Sequence, residues 1–253
     1  MKIIDGHINI SETGKWFNTS YNCSYEAIVD KLNEAQIEQA MLLAMPGVCT
    51  NNFFSKQKID RDRFYIFGNI QDFNNVDRSL DEIIDLDLNG VKIHPRFQEI
   101  SVKSLVEMNF FEKLIENNLP VMICGWQQSN KIPIDDLSPL YIDILAKKYP
   151  RLKIVWSHMG GYRLWDSFTV ARSNSNVYLD CSYFLQFFRG TSLETDFAQI
   201  THMLDKKIIF GSDFPEIDPI DYLNHTKSII GYSLPAEKLE NIFSQNIIKL
   251  LEK

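Results

Sequence analysis

The chain has 253 residues, of which 45% are hydrophobic and 23% are charged, the proportions of an ordinary globular protein rather than a disordered or fibrous one. Lysine and arginine total 26 against 33 aspartates and glutamates, which gives a formal net charge of −7. A protein that neutralises nucleic-acid phosphates needs the opposite balance, so we expect no nucleic-acid partner.

The N-terminal residues and the cysteines indicate the cellular compartment. A charge and an imidazole interrupt residues 1–7, so no export signal is predicted, and no run approaches the roughly 18 apolar residues that span a bilayer. Neither a disulfide framework nor a zinc knuckle is indicated, because the four cysteines lie far apart without CxxC spacing. We therefore expect a soluble, reduced, cytoplasmic protein with no membrane partner.

Short apolar runs alternate with longer segments of helical period along the chain. We predict strands at residues 2–10, 39–45, 63–70, 90–95, 120–126, 153–160, 177–183 and 207–215. They are apolar nearly throughout, as parallel strands covered on both faces are. Helical spacing is clearest at residues 102–118, which end before Leu119-Pro120, and at residues 239–251, which follow Pro235.

Eight strands that alternate with helices in about 250 residues predict a single (β/α)8 TIM barrel, an α/β fold. No Gly/Ser tract, Pro-rich run or block of like charge marks a linker, so we expect residues 1–253 to form one domain. An open doubly wound sheet uses the same alternation, but no GxGxxG follows the first strand.

Polar residues stand at the carboxyl ends of five predicted strands, where the active site of such a barrel is built. Side chains alternate along a strand, so residues two apart share a face. This rule groups Asp5, His7 and Asn9; Lys92 and His94; Cys124 and Trp126; Trp156 and His158; and Gly211 and Asp213. Because buried polar groups are costly without partners, we expect these residues to share one site.

The residue types in this set suit a divalent metal and hydrolytic chemistry. A metal lowers the pKa of its bound water from roughly 16 to about 7, which makes a nucleophile at neutral pH. We predict that Asp213 takes the proton from that water and delivers it to the leaving group. Lys92 and His94 would hold an oxyanion or carboxylate of the substrate.

Residues that follow the strand ends are candidates for substrate binding. Trp126 is expected to shape the substrate site, and Arg163 to bind the substrate. Arg96, Tyr183 and Glu216 occupy similar positions, and each suits either substrate binding or ordinary loop surface.

Five short motifs occur in chain order at the spacing of a barrel. Residues 4–9 read IDGHIN, 90–95 GVKIHP, 120–124 PVMIC, 157–161 SHMGG and 210–215 FGSDFP. They resemble the amidohydrolase superfamily in its amidohydrolase-related branch, which has HxH, GxKxHP, a fifth strand ending in histidine, HxGG and GSDFP at these places. The resemblance covers essentially the whole chain.

The resemblance implies a (β/α)8 barrel that binds one or two divalent metals. Such enzymes hydrolyse amides, lactones or related esters of small molecules, and one group in the branch performs non-oxidative decarboxylation. Carried over by position, it implies metal ligands at His7 and His158, a metal-facing acid/base at Asp213, and a substrate-binding or metal-bridging residue at Lys92. It also suggests a homodimer.

Two departures from the family pattern affect the metal. Asn9 stands where HxH has its second histidine, and Cys124 stands where the fifth strand has histidine. Because thiolate prefers zinc over magnesium or manganese, His7, Cys124, His158 and Asp213 form the predicted mononuclear zinc site. The alternative is a metal-free enzyme with Asp213 as the base. A decarboxylase and a non-catalytic binding protein on the same barrel are the rival functions.

Overall fold

The computed structural model describes residues 1–252, and its eight parallel strands pair in sequence order. The strands are β1 (Ile4–Ile10), β2 (Gln39–Ala44), β3 (Phe64–Asn69), β4 (Gly90–Ile93), β5 (Val121–Ile123), β6 (Ile154–Trp156), β7 (Val177–Asp180) and β8 (Ile208–Ile209). Gly6 N donates to Phe210 O and Asn9 N donates to Phe214 O, both at 2.8 Å, so the segment after β8 pairs with β1 and closes the ring. The predicted (β/α)8 TIM barrel is confirmed.

Helices follow the strands and cover the outside of the barrel. They are α1 (Tyr25–Glu34), α2 (Phe53–Lys56), α3 (Val76–Asp85), α4 (Pro95–Gln98), α5 (Val102–Val106), α6 (Phe111–Glu116), α7 (Leu140–Lys148), α8 (Leu164–Ser173), α9 (Phe184–Phe187), α10 (Ser192–Leu204), α11 (Pro219–Ile230), α12 (Ala236–Glu240) and α13 (Asn246–Leu251). A π-turn at Asn241–Gln245 joins the last two helices, and 3-10 turns lie at Ile134–Leu137, Ser157–Arg163 and Asp205–Lys207. Among residues 1–252, no helix combines the length and the apolar character that crossing a bilayer demands.

The continuous helix predicted at residues 102–118 is wrong, because the chain breaks it into α5 and α6. At the break, the carbonyl of Val106 accepts a hydrogen bond from Lys148 Nζ at 2.9 Å, and the carbonyl of Met108 accepts one from Tyr149 Oη at 3.2 Å. Side chains at the end of α7 thus supply the donors that a continuous helix would supply from its own backbone.

Alternation along the strands separates an inner from an outer apolar cluster. The inner cluster contains Ile4, Met41, Leu43, Phe67, Met122, Val155, Tyr178 and Ile209, together with Ile247 and Leu250 of α13. Two residues beyond Met122, Tyr178 and Ile209 come Cys124, Asp180 and Gly211. The inner face therefore changes from apolar to polar at the carboxyl ends of the strands, where the site lies.

Candidate active site

The carboxyl ends of the strands enclose a cavity of about 150 Å³. An engineered apolar cavity of roughly this size takes up benzene, so one small ring with short substituents matches it. The lining residues are His7, Asn9, Trp16, Met45, His94, Arg96, Phe97, Trp126, Gln128, His158, Tyr183, Asp213 and Glu216. Most residues predicted for the site therefore do lie together.

His7 is held on one side by Asp180, and both side chains are buried. His7 Nδ1 lies 2.7 Å from Asp180 Oδ2, and its Nε2 lies 3.2 Å from Asp213 Oδ1. Burial and the neighbouring Lys92 lower the pKa of His7. Burial alone would raise the pKa of Asp180, but His7 and the hydrogen bond from Ser182 lower it to about 2. A neutral His7 therefore donates Nδ1–H to Asp180 and turns the lone pair of Nε2 towards Asp213.

His158 reaches the cavity through an unusual backbone. The 3-10 turn after β6 is left-handed at four successive residues, with φ of 57° at His158 and 53° at Met159 before Gly160 and Gly161. His158 Nδ1 lies 3.0 Å from both the carbonyl oxygen and Oγ of Ser182, and its ring centroid lies 5.1 Å from that of His7. This turn directs the imidazole to the cavity, although Trp156, on the same face by strand alternation, packs in the outer cluster.

Three donor groups converge at one point of the cavity wall. His7, His158 and Asp213 each offer one atom, and these atoms lie within 4.8 Å of one another. His7 Nδ1 faces Asp180 and His158 Nδ1 faces Ser182, so the Nε2 atoms of both imidazoles remain as metal donors. The lone pair of His7 Nε2 faces a carboxylate oxygen of Asp213. Because both atoms are hydrogen-bond acceptors, a cation bound between them would stabilise this arrangement. Two imidazoles and a carboxylate fit a divalent ion with open coordination positions.

Asn9 orients Asp213 rather than joining this donor group. Its Nδ2 donates to Asp213 Oδ1 at 2.9 Å and to the carbonyl of Phe214 at 3.1 Å. Asp213 has a left-handed φ of 72°, and its amide donates to the carbonyl of His7 at 2.9 Å. The carboxylate is thus fixed from both its backbone and its side chain.

Cys124 lies beside the donor group that the described residues form and not within it. Its Sγ lies 4.0 Å from Arg96 Nη2. Burial alone would raise the pKa of this thiol, but His94, His158 and Arg96 hold it well below its ordinary value. In return, the pKa of His158, which burial alone would lower, is raised to about 9 mainly by Cys124. Without a metal, each group therefore favours the charged form of the other, whereas a metal bound to His158 would require the neutral imidazole.

Two further predicted residues do not line the cavity. Lys92 is buried below it, where Nζ donates to Ser157 Oγ at 3.2 Å, and burial lowers the pKa of this amine. Arg163 lies outside the lining, and its Nε is 2.7 Å from Asp166 Oδ2. Arg96 occupies the cavity wall instead.

For β7, the sequence analysis named only Tyr183, as a candidate for substrate binding, and missed Asp180 and Ser182. Asp180 and Ser182 follow Tyr178 at intervals of two, so the alternation that identified the other strand ends was present here as well. A carboxylate directly after the apolar run of residues 177–179 was the available signal. Asp180 and Ser182 together hold both imidazoles.

The comparisons with known proteins agree with this architecture. The chain is similar to the structure of an uncharacterised TIM-barrel protein from Bordetella bronchiseptica, with a TM-score of 0.82, 21% identity, and coverage of 99% of this chain and 98% of that chain. A proposed 2-pyrone-4,6-dicarboxylic acid hydrolase from Pseudomonas putida gives a TM-score of 0.74 at 14% identity, with 99% and 97% covered. A 2,6-dihydroxybenzoate decarboxylase gives 0.70 at 13% identity, with 99% of both chains covered.

At these identities the likeness between structures shows the fold alone. No curated protein matches the chain in sequence. The family profile of the amidohydrolases, however, matches residues 4–253, which confirms the resemblance carried by the five motifs. The protein is therefore an enzyme, and it belongs to the amidohydrolase family.

Proposed function

We propose that the enzyme hydrolyses a carboxylic ester, lactone or amide of a small anionic molecule. The observation that carries this proposal is the position of Asp213. Its carboxylate lines the cavity, is 14% exposed, and lies 3.2 Å from His7 Nε2. A fixed carboxylate beside a ring-sized cavity is suited to moving a proton between a water and a leaving group.

Asp213 acts as the base and then as the acid. Its Oδ1 accepts the hydrogen bond from Asn9, which leaves Oδ2 to take the proton of the attacking water. As the tetrahedral intermediate collapses, the same oxygen returns that proton to the departing oxygen or nitrogen. Holding the carboxylate in place before the substrate arrives removes the entropy cost of orienting it.

His94 and Arg96 provide the polar wall that receives the substrate. Both line the cavity, and His94 Nδ1 and Arg96 Nε are buried without a hydrogen-bond partner among the described residues. Burial lowers the pKa of His94, so the ring enters the reaction neutral. Arg96 suits a carboxylate, because a guanidinium can bind one through two parallel hydrogen bonds. His94 is then placed for the carbonyl oxygen.

For the cofactor we propose one zinc ion held by His7, His158 and Asp213. When bound, zinc would polarise the carbonyl and lower the pKa of a water. The donor chemistry supports zinc, because imidazole nitrogens with one carboxylate are typical of its catalytic sites. In the metal-free alternative, the same Asp213 activates water and Arg96 holds the substrate.

A non-oxidative decarboxylase is the second candidate, and the protonation of His158 favours it. His158 lines the cavity, and its pKa of about 9 gives it a proton to donate at neutral pH when no zinc is bound to it. Loss of carbon dioxide leaves a carbanion that needs one proton, and an imidazolium can supply it. The likeness to the 2,6-dihydroxybenzoate decarboxylase agrees with this alternative.

The substitution Asp213→Asn tests the hydrolase. We would assay single-ring esters, lactones and anilides that bear a carboxylate, following acid release with a pH indicator and carbon dioxide in parallel. Turnover should fall about 10²- to 10⁴-fold, the range for loss of a positioned acid–base group. Asp221→Asn, the same change at an exposed position of α11, is the control and should keep full activity.

Full activity in Asp213→Asn would refute the mechanism. Release of carbon dioxide without ester, lactone or amide cleavage would replace the hydrolase with the decarboxylase.

A further inference from the structure

Two opposite charges face the cavity without pairing with each other. The Arg96 guanidinium contacts Gln128 O at 3.4 Å and Cys124 Sγ at 4.0 Å, and its Nε has no partner. The Glu216 carboxylate accepts one hydrogen bond, from Trp16 Nε1 at 3.0 Å. Within residues 1–252, no carboxylate lies within ion-pair distance of Arg96 and no cationic side chain lies within that distance of Glu216, so the Cys124 sulfur is the anionic contact of Arg96.

A ligand that enters the cavity meets both of these charges. Arg96 Nε is buried without a hydrogen-bond partner, whereas Glu216 is exposed and its carboxylate stays in contact with water, and no ion pair joins the two groups. A bound molecule that offers an anion to Arg96 and a hydrogen-bond donor to Glu216 would pair both charges.

Aromatic residues line the same cavity as the two charges. Trp126 and Tyr183 both line the cavity, with their rings nearly perpendicular (89°) at a centroid distance of 5.1 Å. Trp16 and Phe97 are further aromatic residues of the lining. Aromatic faces favour a planar apolar body, and the cavity volume of about 150 Å³ limits that body to one ring.

We propose that Glu216 is a specificity-determining residue, which selects substrates whose ring carries a hydrogen-bond donor opposite the anionic group bound by Arg96. The donor is an amino, ammonium or hydroxyl group. This inference rests on the proposed function for the reaction and for the anion at Arg96. It concerns binding, so it is tested without turnover.

If Glu216 served only to hold the fold together, the substitutions Glu216→Gln and Trp16→Phe would give a different result. The bond between Trp16 and Glu216 also joins the segment after β1 to the segment after β8. If that link were the purpose of Glu216, removing the indole N–H would matter as much as removing the carboxylate. Trp16→Phe removes the bond and keeps the carboxylate, whereas Glu216→Gln keeps an acceptor for Trp16 and removes the charge.

The test compares ring acids that differ in one group. The probes are two pairs: 4-(aminomethyl)benzoate with 4-methylbenzoate, and 3-(aminomethyl)benzoate with 3-methylbenzoate. Each is titrated into the purified protein by calorimetry. In the wild type, the amine of at least one pair should bind about 10- to 100-fold more tightly than its methyl partner, the range for a hydrogen bond to a charged group. Glu216→Gln should lose this preference, and Trp16→Phe should keep it. Arg96→Gln should weaken binding of all four probes.

Three results would overturn the proposal: equal affinities or no binding in the wild type, a preference that survives in Glu216→Gln, or a preference lost in Trp16→Phe. The proposed function fails separately. If the amine preference is found but no ester, lactone or amide is hydrolysed, the reaction assignment is wrong and the role of Glu216 stands.

Discussion

Replacing Asp180 with asparagine tests how the site is held together. The two carboxylate oxygens of Asp180 accept hydrogen bonds from both sides: Oδ1 from the Ser182 amide at 2.8 Å, and Oδ2 from His7 Nδ1 at 2.7 Å and Ser182 Oγ at 2.8 Å. Asparagine has one acceptor oxygen, so its NH₂ must face one of these donors. The substitution keeps the shape of the side chain and leaves a buried N–H unpaired.

The expected loss of stability follows from the hydrogen bonds that Asp180→Asn removes. An unpaired buried donor costs about 1–3 kcal/mol, and a hydrogen bond to a charged group, such as the one from neutral His7 to the Asp180 carboxylate, contributes about 1.5–3 kcal/mol. We expect Asp180→Asn to lower the free energy of unfolding by about 3 kcal/mol. For a chain of this size that corresponds to roughly 6–12 °C in Tm. His7 would also lose the acceptor that selects its tautomer, so turnover should fall with it.

The pH dependence separates this mechanism from a packing defect. The folded pKa of Asp180, about 2, lies below its ordinary value of 3.8. A depressed acid pKa contributes stability that is complete above the unfolded value and is lost only as the pH falls towards the folded one. The difference in stability between wild type and Asp180→Asn should therefore stay constant from about pH 5 to pH 8.

Urea or thermal unfolding across that range measures the difference. Asp85→Asn, at an exposed position of α3, is the matched control and should change stability by less than about 0.5 kcal/mol. An effect of Asp180→Asn as small as that of the control, or one that vanishes by pH 6, would refute the reasoning.

Two further substitutions probe the turn after β6 and the donor group. Gly160→Ala should lower Tm by several degrees, because Gly160 has a φ of +72° and an added Cβ would collide with Ser167 Oγ. Gly47→Ala is the control: its φ is +80° but the space around it is open, so it carries only the backbone cost of about 1–2 kcal/mol. Equal losses of stability in the two variants would contradict this explanation. Cys124→Ser should bind as much zinc as the wild type, because the Cys124 thiol lies outside the donor group of His7, His158 and Asp213. The measurements are zinc per chain, and activity after chelation and zinc addition. Loss of zinc in this variant would show that Cys124 is a ligand.

The strands were predictable because each is a short apolar run, but seven of the eight predictions run past the observed carboxyl end, and only β1 ends at Ile10 as predicted. All eight predicted strands extend beyond the observed ones, and β8 keeps only Ile208–Ile209 of the predicted 207–215. Asp213 cannot continue a strand at φ of 72°, and the segment before it bonds to β1 instead. The break between α5 and α6 depends on side chains of a distant helix, which local periodicity does not contain.

Alternation located most of the site and failed where the backbone leaves the strand. It placed His7, His94 and Asp213 at the cavity correctly. It also paired His158 with Trp156 on one inner face, but Trp156 packs outward and the left-handed turn brings His158 to the cavity. Arg163 and Arg96 were equivalent in sequence, and only the packing distinguishes them: one pairs with Asp166, and the other lines the cavity.

Left-handed residues mark three of the strand ends that form the cavity. His158, Tyr183 and Asp213 have φ of 57°, 62° and 72°, a conformation that costs about 1–3 kcal/mol for a residue with a side chain. Such strain persists only where surrounding contacts outweigh it, and here Ser182 holds the His158 ring while the His7 carbonyl accepts the Asp213 amide. Because those contacts lie within the protein, the donor geometry does not depend on a ligand to create it. The fold bears the cost of orienting the site, so the interaction energy of a metal or substrate is available for binding and catalysis.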